Sequence, residues 1–317
     1  METEQQENSI KYSVVIPVYN SAAVVGETID RTVAFFEKRG WDYELILVND
    51  RSRDQSWEVL REKALANGHI MAINLLQNYG QHTAVLCGFQ RSSGDYVITL
   101  DDDLQNPPEE IIHLVEKANE GYDLVFGRFR EKKHALYRRL GSILIRMINR
   151  RIFHAPTDLV LTNFRIIKRD VVDRICSYRT SYPYITGLSL MFCANPANVW
   201  VEHHARPAGK SNYNLFKIFE LVMRILFNYS TYPLRLVSVA GLIISGLSFL
   251  LGLYFLGKAI FVGTSVPGWA TTVVLISFFN GITLLIVSML GEYVMRLLNQ
   301  VSYTEYYEVK EIVRRDE

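Results

Sequence analysis

Short apolar runs alternate with amphipathic stretches from about residue 12 to residue 127, and their spacing predicts each element in turn. Residues 12–18 read as a strand, followed by a helix over 24–38. Residues 43–49 form a second strand, with a helix over 54–66. A third strand covers 70–75, with a helix over 82–91. A fourth strand covers 96–100, with a helix over 108–119, and a further strand covers 123–126. Strands alternating with helices of this length indicate βαβ units and a mostly parallel sheet.

The pattern changes after Gly127. Between Arg128 and Arg151 stand nine basic residues against one acid, Glu131. Leu136, Leu140, Leu144 and Ile148 recur every four residues there, which predicts an amphipathic helix with a basic face suited to an anionic lipid surface. A merely solvated charged face reads the same. A second amphipathic stretch, 214–229, sets Leu215, Phe216, Phe219, Val222, Met223, Leu226 and Phe227 at helical spacing.

Two apolar runs close the chain. From 236 to 262 the only charge is Lys258, and from 269 to 290 there is none. Each is long enough to cross a bilayer as a helix, and Gly263-Thr264-Ser265-Val266-Pro267-Gly268 joins them as a short uncharged turn. Arg224 and Arg235 precede the first span, while Arg296, Lys310, Arg314 and Arg315 follow the second. By the positive-inside rule both flanks, and so the main domain and both termini, are expected in the cytoplasm of an integral plasma-membrane protein. The alternative is a buried core hairpin of a soluble protein. Residues 1–9 are polar and acidic, without the apolar core of a signal peptide.

Composition adds little to this. Within 317 residues the net charge of +1 gives no reason to expect a nucleic-acid partner. Cys87, Cys176 and Cys193 lie scattered in apolar contexts and read as reduced core residues. Gly241, Gly246 and Gly252 punctuate the first span and would permit close helix packing, including in a homo-oligomer, or are ordinary lipid-facing glycines.

Chemistry concentrates in four places. Pro17-Val18-Tyr19-Asn20 ends the first strand. Asn49-Asp50-Arg51-Ser52-Arg53-Asp54 follows the second, where an acid commonly receives hydrogen bonds from a nucleotide. Leu100-Asp101-Asp102-Asp103-Leu104-Gln105-Asn106-Pro107-Pro108-Glu109 sets three carboxylates at the end of a buried strand. Carboxylates so close repel unless a cation lies among them, and a divalent ion is the usual answer. Arg206-Pro207-Ala208-Gly209-Lys210-Ser211-Asn212-Tyr213 is a basic, hydroxyl-bearing loop fit to grip phosphates. Each also has a plain reading, as helix caps, turn residues or surface charge. Together they describe a nucleotide, a metal and a diphosphate.

These segments resemble the family-2 glycosyltransferases of GT-A fold. The Arg206–Tyr213 loop and the two C-terminal spans are similar to the polyprenyl-phosphate branch of that family. That branch includes dolichyl-phosphate mannose synthases and the undecaprenyl-phosphate transferases of glucose and of 4-deoxy-4-formamido-arabinose. Asn78-Tyr79-Gly80-Gln81-His82 and the unbroken Asp-Leu-Gln-Asn-Pro-Pro-Glu-Glu run look closest to the last of these. The resemblance implies that Pro17, Tyr19, Asn20, Asp50, Asp101 and Asp102 hold the nucleotide. It implies that Asp103 and Gln105 bind Mg²⁺ or Mn²⁺, and that Arg128, Arg206, Lys210 and Ser211 hold diphosphate or lipid phosphate. Arg165 joins Asp103 as a catalytic candidate. Three positions depart from the pattern. Ser21 stands where an acid is usual, Asn49 replaces a frequent Asp, and Asn163 falls on a proposed catalytic carboxylate, with Asp158 a substitute five residues earlier.

The expected protein is therefore α/β, with a GT-A domain over 1–213 and a juxtamembrane helix over 214–233. A transmembrane hairpin over 234–298 (spans about 236–262 and 269–291) and a cytoplasmic tail over 299–317 complete it. Its expected activity is inverting, metal-dependent transfer of a sugar from a nucleotide donor, most simply a UDP-sugar, to polyprenyl phosphate in the bilayer. Rival readings are a processive polysaccharide synthase, which usually carries a Gln-x-x-Arg-Trp motif absent here, and a non-catalytic scaffold or sugar-nucleotide sensor.

Overall fold

The computed structural model describes residues 10–129, 136–180, 182–204, 215–261, 268–301 and 307–315. The chain forms two compact units. One comprises residues 1–178, 182–219 and 304–317, and the other 179–181 and 220–303.

The first unit is built on β1 (Lys11–Val18), β2 (Asp42–Asn49), β3 (Ile70–Leu75) and β4 (Tyr96–Thr99), which alternate with α1 (Val25–Glu37), α2 (Ser56–Ala66) and α3 (Gln81–Phe89). β1 pairs in parallel with β2 and β4, and β2 with β3. Val14, Val15, Ile16, Leu45, Ile46, Leu47 and Val48 are wholly buried, as continuous apolar strands covered on both faces require. A 3₁₀ turn at Pro108–Glu110 leads into α4 (Ile111–Asn119), and β5 (Leu124–Arg128) follows. All these elements lie within a few residues of the expected positions.

Beyond them the structure adds parts that the apolar pattern does not predict. After α5 (Leu136–Phe153), the expected basic helix, come β6 (Arg165–Lys168), α6 (Arg169–Ser177), α7 (Ile185–Phe192) and β7 (Pro196–Trp200). β6 runs antiparallel between β4 and β5, and β7 runs parallel to β5. Among the described residues, six of the eight strands of this sheet thus share one direction, in the order β7-β5-β6-β4-β1-β2-β3-β8.

The eighth strand corrects the reading of residues 299–317 as a tail. β8 (Val309–Arg314) pairs antiparallel with β3 and closes that edge of the sheet. Its burial alternates residue by residue, as a strand with one covered face requires. Val313 packs against the main core. Just before it, the buried Tyr307 accepts a hydrogen bond from Arg91 Nη1 (3.0 Å) and donates one to Gln90 at the end of α3.

α8 (Leu215–Tyr229) covers the second amphipathic stretch. In the second unit, α9 (Tyr232–Phe261) and α10 (Trp269–Val301) pack along each other, with Phe249 against Phe278 (6.3 Å) and Phe255 edge-on to Trp269 (4.9 Å). Within them Ser238–Phe255 and Thr272–Met295 are long and apolar enough to cross a membrane. Gly252 is the close-approach point: a Cβ there would lie 2.9 Å from Val274 Cγ2. Around Gly246 the space is open, so this glycine is not used within the hairpin.

Candidate active site

The carboxyl ends of β1, β2, β3 and β4 lie side by side, the position where open α/β sheets bind ligands. Every loop leaving this edge bends sharply. Asn20 (φ 53°), Arg51 (φ 57°) and Leu104 (φ 57°) are left-handed beyond β1, β2 and β4, and Gly80 (φ 92°) does the same after β3. Three non-glycine residues in that region along one edge cost on the order of 1–3 kcal/mol each and must be held by their surroundings.

Hydrogen bonds between the loops do this. Arg53 N donates to Asn20 Oδ1 (2.7 Å), Asn20 N to Ser52 Oγ (3.0 Å) and Ala22 N to Asp54 Oδ2 (3.0 Å), joining the first loop to the second. Burial pushes Asp54 up, but hydrogen bonds from Ser56 and Ala22 outweigh it and hold the carboxyl below its ordinary value. Asp50 is buried where α3 begins, its two oxygens accepting from Tyr79 N (2.7 Å) and Gly80 N (2.9 Å). Burial raises its pKa, and those two amides partly offset the rise. Asn49 Nδ2 donates to Asn74 Oδ1 (2.9 Å) across the β2–β3 register, both side chains buried. A neutral amide there gives a satisfied pair without a buried charge, which accounts for Asn in place of Asp.

The three aspartates divide. Asp102 Oδ2 accepts from Tyr19 N (3.1 Å) and Ser21 Oγ (2.5 Å), so it ties the first loop to the fourth. A second acid at Ser21 would face Asp102 as a like charge; the hydroxyl donates instead. Asp101 Oδ1 accepts from Gln81 Nε2 (2.9 Å), and Asn106 Nδ2 approaches its other oxygen at 3.5 Å. Burial, then the charges of Asp103 and Asp102, push the Asp101 carboxyl up to about 7. Asp103 Oδ1 accepts from Gln105 N (3.1 Å) across the kink at Leu104.

Behind Asp101 stands Arg165, 1% exposed, with Nη1 donating to Thr186 Oγ1 (3.0 Å) and Nε lacking a hydrogen-bond partner. Burial lowers its pKa to about 10. His82 lies edge-on to Tyr184 at 5.2 Å, and burial followed by the Arg165 charge pushes it down to about 3. Asp101, Arg165, His82, Gln81 and Asn163 share the wall of a 10 Å³ cavity with Pro17, about the room of one water. Asn163 therefore lies with Asp101 and Arg165, while Asp158 is exposed in the turn after α5. Gln81 and His82 carry no assigned role in the sequence; the Asn78-Tyr79-Gly80-Gln81-His82 run, which carries part of the family resemblance, is the signal that points to them.

A larger cleft of 660 Å³ opens at the ends of β1–β3, lined by Tyr19, Arg51, Arg53, Trp57 and Asn78 and, from β8, by Lys310. Tyr19 is 43% exposed. Arg128 stacks over Trp200 of β7 at 4.5 Å. The segment after β7 returns to the aspartate loop, where His204 N donates to Gln105 O (2.9 Å) and His203 Nδ1 lies 3.4 Å from Asn106 Oδ1. Arg206, Lys210 and Ser211 lie outside the described residues. Among the described residues no three His, Cys, Asp or Glu side chains form a metal cage.

The sequence profile of the family described as Glycosyl transferase family 2 matches residues 13–176. An undecaprenyl-phosphate 4-deoxy-4-formamido-L-arabinose transferase of Proteus mirabilis is 36% identical over 310 residues, covering 96% of this chain and 94% of its own. An uncharacterized glycosyltransferase of Bacillus subtilis, YkcC, is 31% identical over 306 residues, 95% of this chain and 94% of its own. Among solved structures, glucosyl-3-phosphoglycerate synthase of Mycobacterium tuberculosis, in complex with Mn²⁺, UDP and glucosyl-3-phosphoglycerate, aligns with a TM-score of 0.50 at 18% identity. That alignment covers 69% of this chain and 78% of the synthase, and it concerns the fold.

Proposed function

This chain belongs to glycosyl transferase family 2, and on that premise we propose that it transfers a sugar, with inversion, from a UDP-sugar to polyprenyl phosphate in the bacterial plasma membrane. The observation that carries the reading is the meeting of the Tyr19 and Asp50 loops with Asp101, Asp103 and Gln105 along one sheet edge, beside a nucleotide-sized cleft. The relatives' lipid-phosphate acceptors and the two long apolar helices support the choice of acceptor.

In this reading an oxygen of the acceptor phosphate attacks the anomeric carbon, the bond from that carbon to the donor diphosphate breaks, and the nucleoside diphosphate departs. A phosphate monoester, with its second pKa about 6, is already ionised near neutral pH. Little deprotonation is needed, so an amide at Asn163 is tolerable where a sugar hydroxyl acceptor would call for a base.

The donor oxygens of Asp103 and Gln105 fit a hard divalent cation, which typically takes one or two protein carboxylates and completes its shell with substrate phosphates and water. When bound, Mg²⁺ or Mn²⁺ would neutralise the charge growing on the departing diphosphate. Asp102 holds the Tyr19 loop against the fourth strand, and Tyr19 and Asp50 receive the nucleoside. Arg206, Lys210 and Ser211 clamp phosphate. Their loop begins two residues after His204, whose amide is bonded to Gln105.

Purified protein, a panel of nucleotide sugars, Mg²⁺ or Mn²⁺ and undecaprenyl phosphate in detergent should yield a lipid-linked sugar detectable by mass spectrometry. No lipid-linked product with any donor, or sugar polymer in its place, would overturn the proposal.

A further inference from the structure

Lys310 reaches the donor cleft by an unusual route. It belongs to β8, encoded after both long helices, yet it lines the 660 Å³ cleft together with Tyr19 from the end of β1. Three contacts fix this segment there. Tyr307 is buried against Gln90 and Arg91, Glu308 N donates to Tyr79 OH (3.1 Å), and Leu76 N donates to Glu308 O (2.8 Å). The Tyr79 amide is itself bonded to Asp50.

The register then skips one residue. Leu75 faces Val309 and Asn74 faces Glu311, which leaves Lys310 as the extra residue of an irregular pair. Such bulges recur beside active sites because they re-aim a side chain. Among the described residues the Lys310 ammonium makes no ion pair or hydrogen bond.

Distance decides which part of a nucleotide it can meet. The sheet order from the aspartate strand outward is β4-β1-β2-β3-β8. Four strand spacings separate β4 from β8, about 19 Å. A diphosphate held at Asp103 therefore lies beyond the reach of a lysine side chain on β8. A nucleoside received at Tyr19 and Asp50, as proposed above, would lie on the Lys310 side of that diphosphate, in the cleft that Lys310 lines.

An ammonium only donates hydrogen bonds. It complements a base edge that presents a carbonyl oxygen, as uracil, thymine and guanine do, and mismatches the amino group that cytosine and adenine present instead. We propose that Lys310 selects the base of the donor nucleotide by donating to the carbonyl oxygen at position 4 of a pyrimidine, or position 6 of guanine, where cytosine and adenine carry an amine. The inference rests on the proposed function and adds a specificity residue from the C-terminal strand.

UDP and CDP carry the same charge and differ only along the base edge at positions 3 and 4 (N–H and carbonyl against bare nitrogen and amine), so their affinity ratio cancels bulk charge and general damage. Calorimetric titration of the full-length protein with each should show a UDP preference that Lys310→Ala reduces about fivefold to tenfold, the scale of a partly exposed charge-assisted hydrogen bond. Lys310→Glu, an acceptor in place of a donor, should tilt the ratio toward CDP. Equal losses for both nucleotides, or an unchanged ratio in both variants, overturn the role of Lys310 while leaving the transferase reading intact. A wild-type protein that binds neither nucleotide, nor GDP, overturns the donor cleft and this inference with it.

Discussion

Asp102 offers the sharpest separation between holding the site together and touching the donor. Its Oδ2 accepts from Tyr19 N at 3.1 Å and from Ser21 Oγ at 2.5 Å, so replacing it with alanine leaves two donors of the first loop without their carboxylate. Hydrogen bonds to a charged group are worth about 1.5–3 kcal/mol each; at the lower end, suited to a half-exposed site, the loss is about 3 kcal/mol. For a domain of this size that corresponds to a melting temperature lower by about 6–12 °C. Asparagine retains an oxygen able to accept both bonds and loses only their charge assistance, so Asp102→Asn should melt about 2–4 °C lower, for a loss near 1 kcal/mol. Transfer activity should follow the same order, alanine far worse than asparagine, because Tyr19 is displaced only in the former. The assay pairs thermal unfolding with UDP titration and turnover for both variants. If both melt like the wild type yet lose donor binding equally, Asp102 contacts the donor or its cation directly and the tether reading is refuted.

Three further outcomes follow from the site and the core. Asp103→Ala should lower lipid-linked product formation at least 100-fold, a chelator should do the same to the wild type, and Asp158→Asn should cost less than threefold; equal losses in the two variants would reverse that ordering. Burial, then the charges of Asp103 and Asp102, push the Asp101 carboxyl from its ordinary 3.8 up to about 7, so the folded state holds the extra proton between those values. Stability of the metal-free protein should therefore fall as pH rises from about 4 through 7 and level off above, since the native state then binds more protons than the unfolded one. Asp101→Asn should flatten that decline, and superimposable melting profiles across pH would contradict it. Gly88→Ala places a Cβ 2.3 Å from Val15 Cγ1. Overpacking of this kind costs about 1–3 kcal/mol, and Val15→Ala should relieve it, giving a double variant more stable than the sum of its parts. Strict additivity would mean the two do not meet.

The first four strands and their helices are legible because β1–β4 are short apolar runs alternating with amphipathic stretches, the pattern that a sheet covered on both faces requires. The triple aspartate is legible for a related reason: three adjacent carboxylates have few uses at a strand end. What each aspartate does is not. Asp101, Asp102 and Asp103 are chemically identical, and their roles separate only when Gln81, Tyr19 and Gln105 arrive from different parts of the chain. β6 and β7 escape notice because at four and five residues they carry no period long enough to read. β8 is hidden differently. Val309-Lys310-Glu311-Ile312-Val313-Arg314 has charges on both faces, as an edge strand tolerates, and nothing local tells it from a tail. The apolar runs of α9 and α10, by contrast, were plain from composition alone.

That edge strand also ties completion of the sheet to the course of the two long apolar helices that precede it. β3 presents an open edge until β8 arrives, and β8 is synthesised only after α9 and α10. A hairpin that crosses a bilayer twice returns the chain to the side where β1–β7 already stand. A single crossing would strand β8 on the far side, leaving β3 unpaired, Tyr307 without its pocket and the cleft without its outer wall. If α9 and α10 cross a bilayer, completion of the 660 Å³ cleft is thus conditional on an even number of crossings, and a chain threaded once lacks the wall that Lys310 supplies.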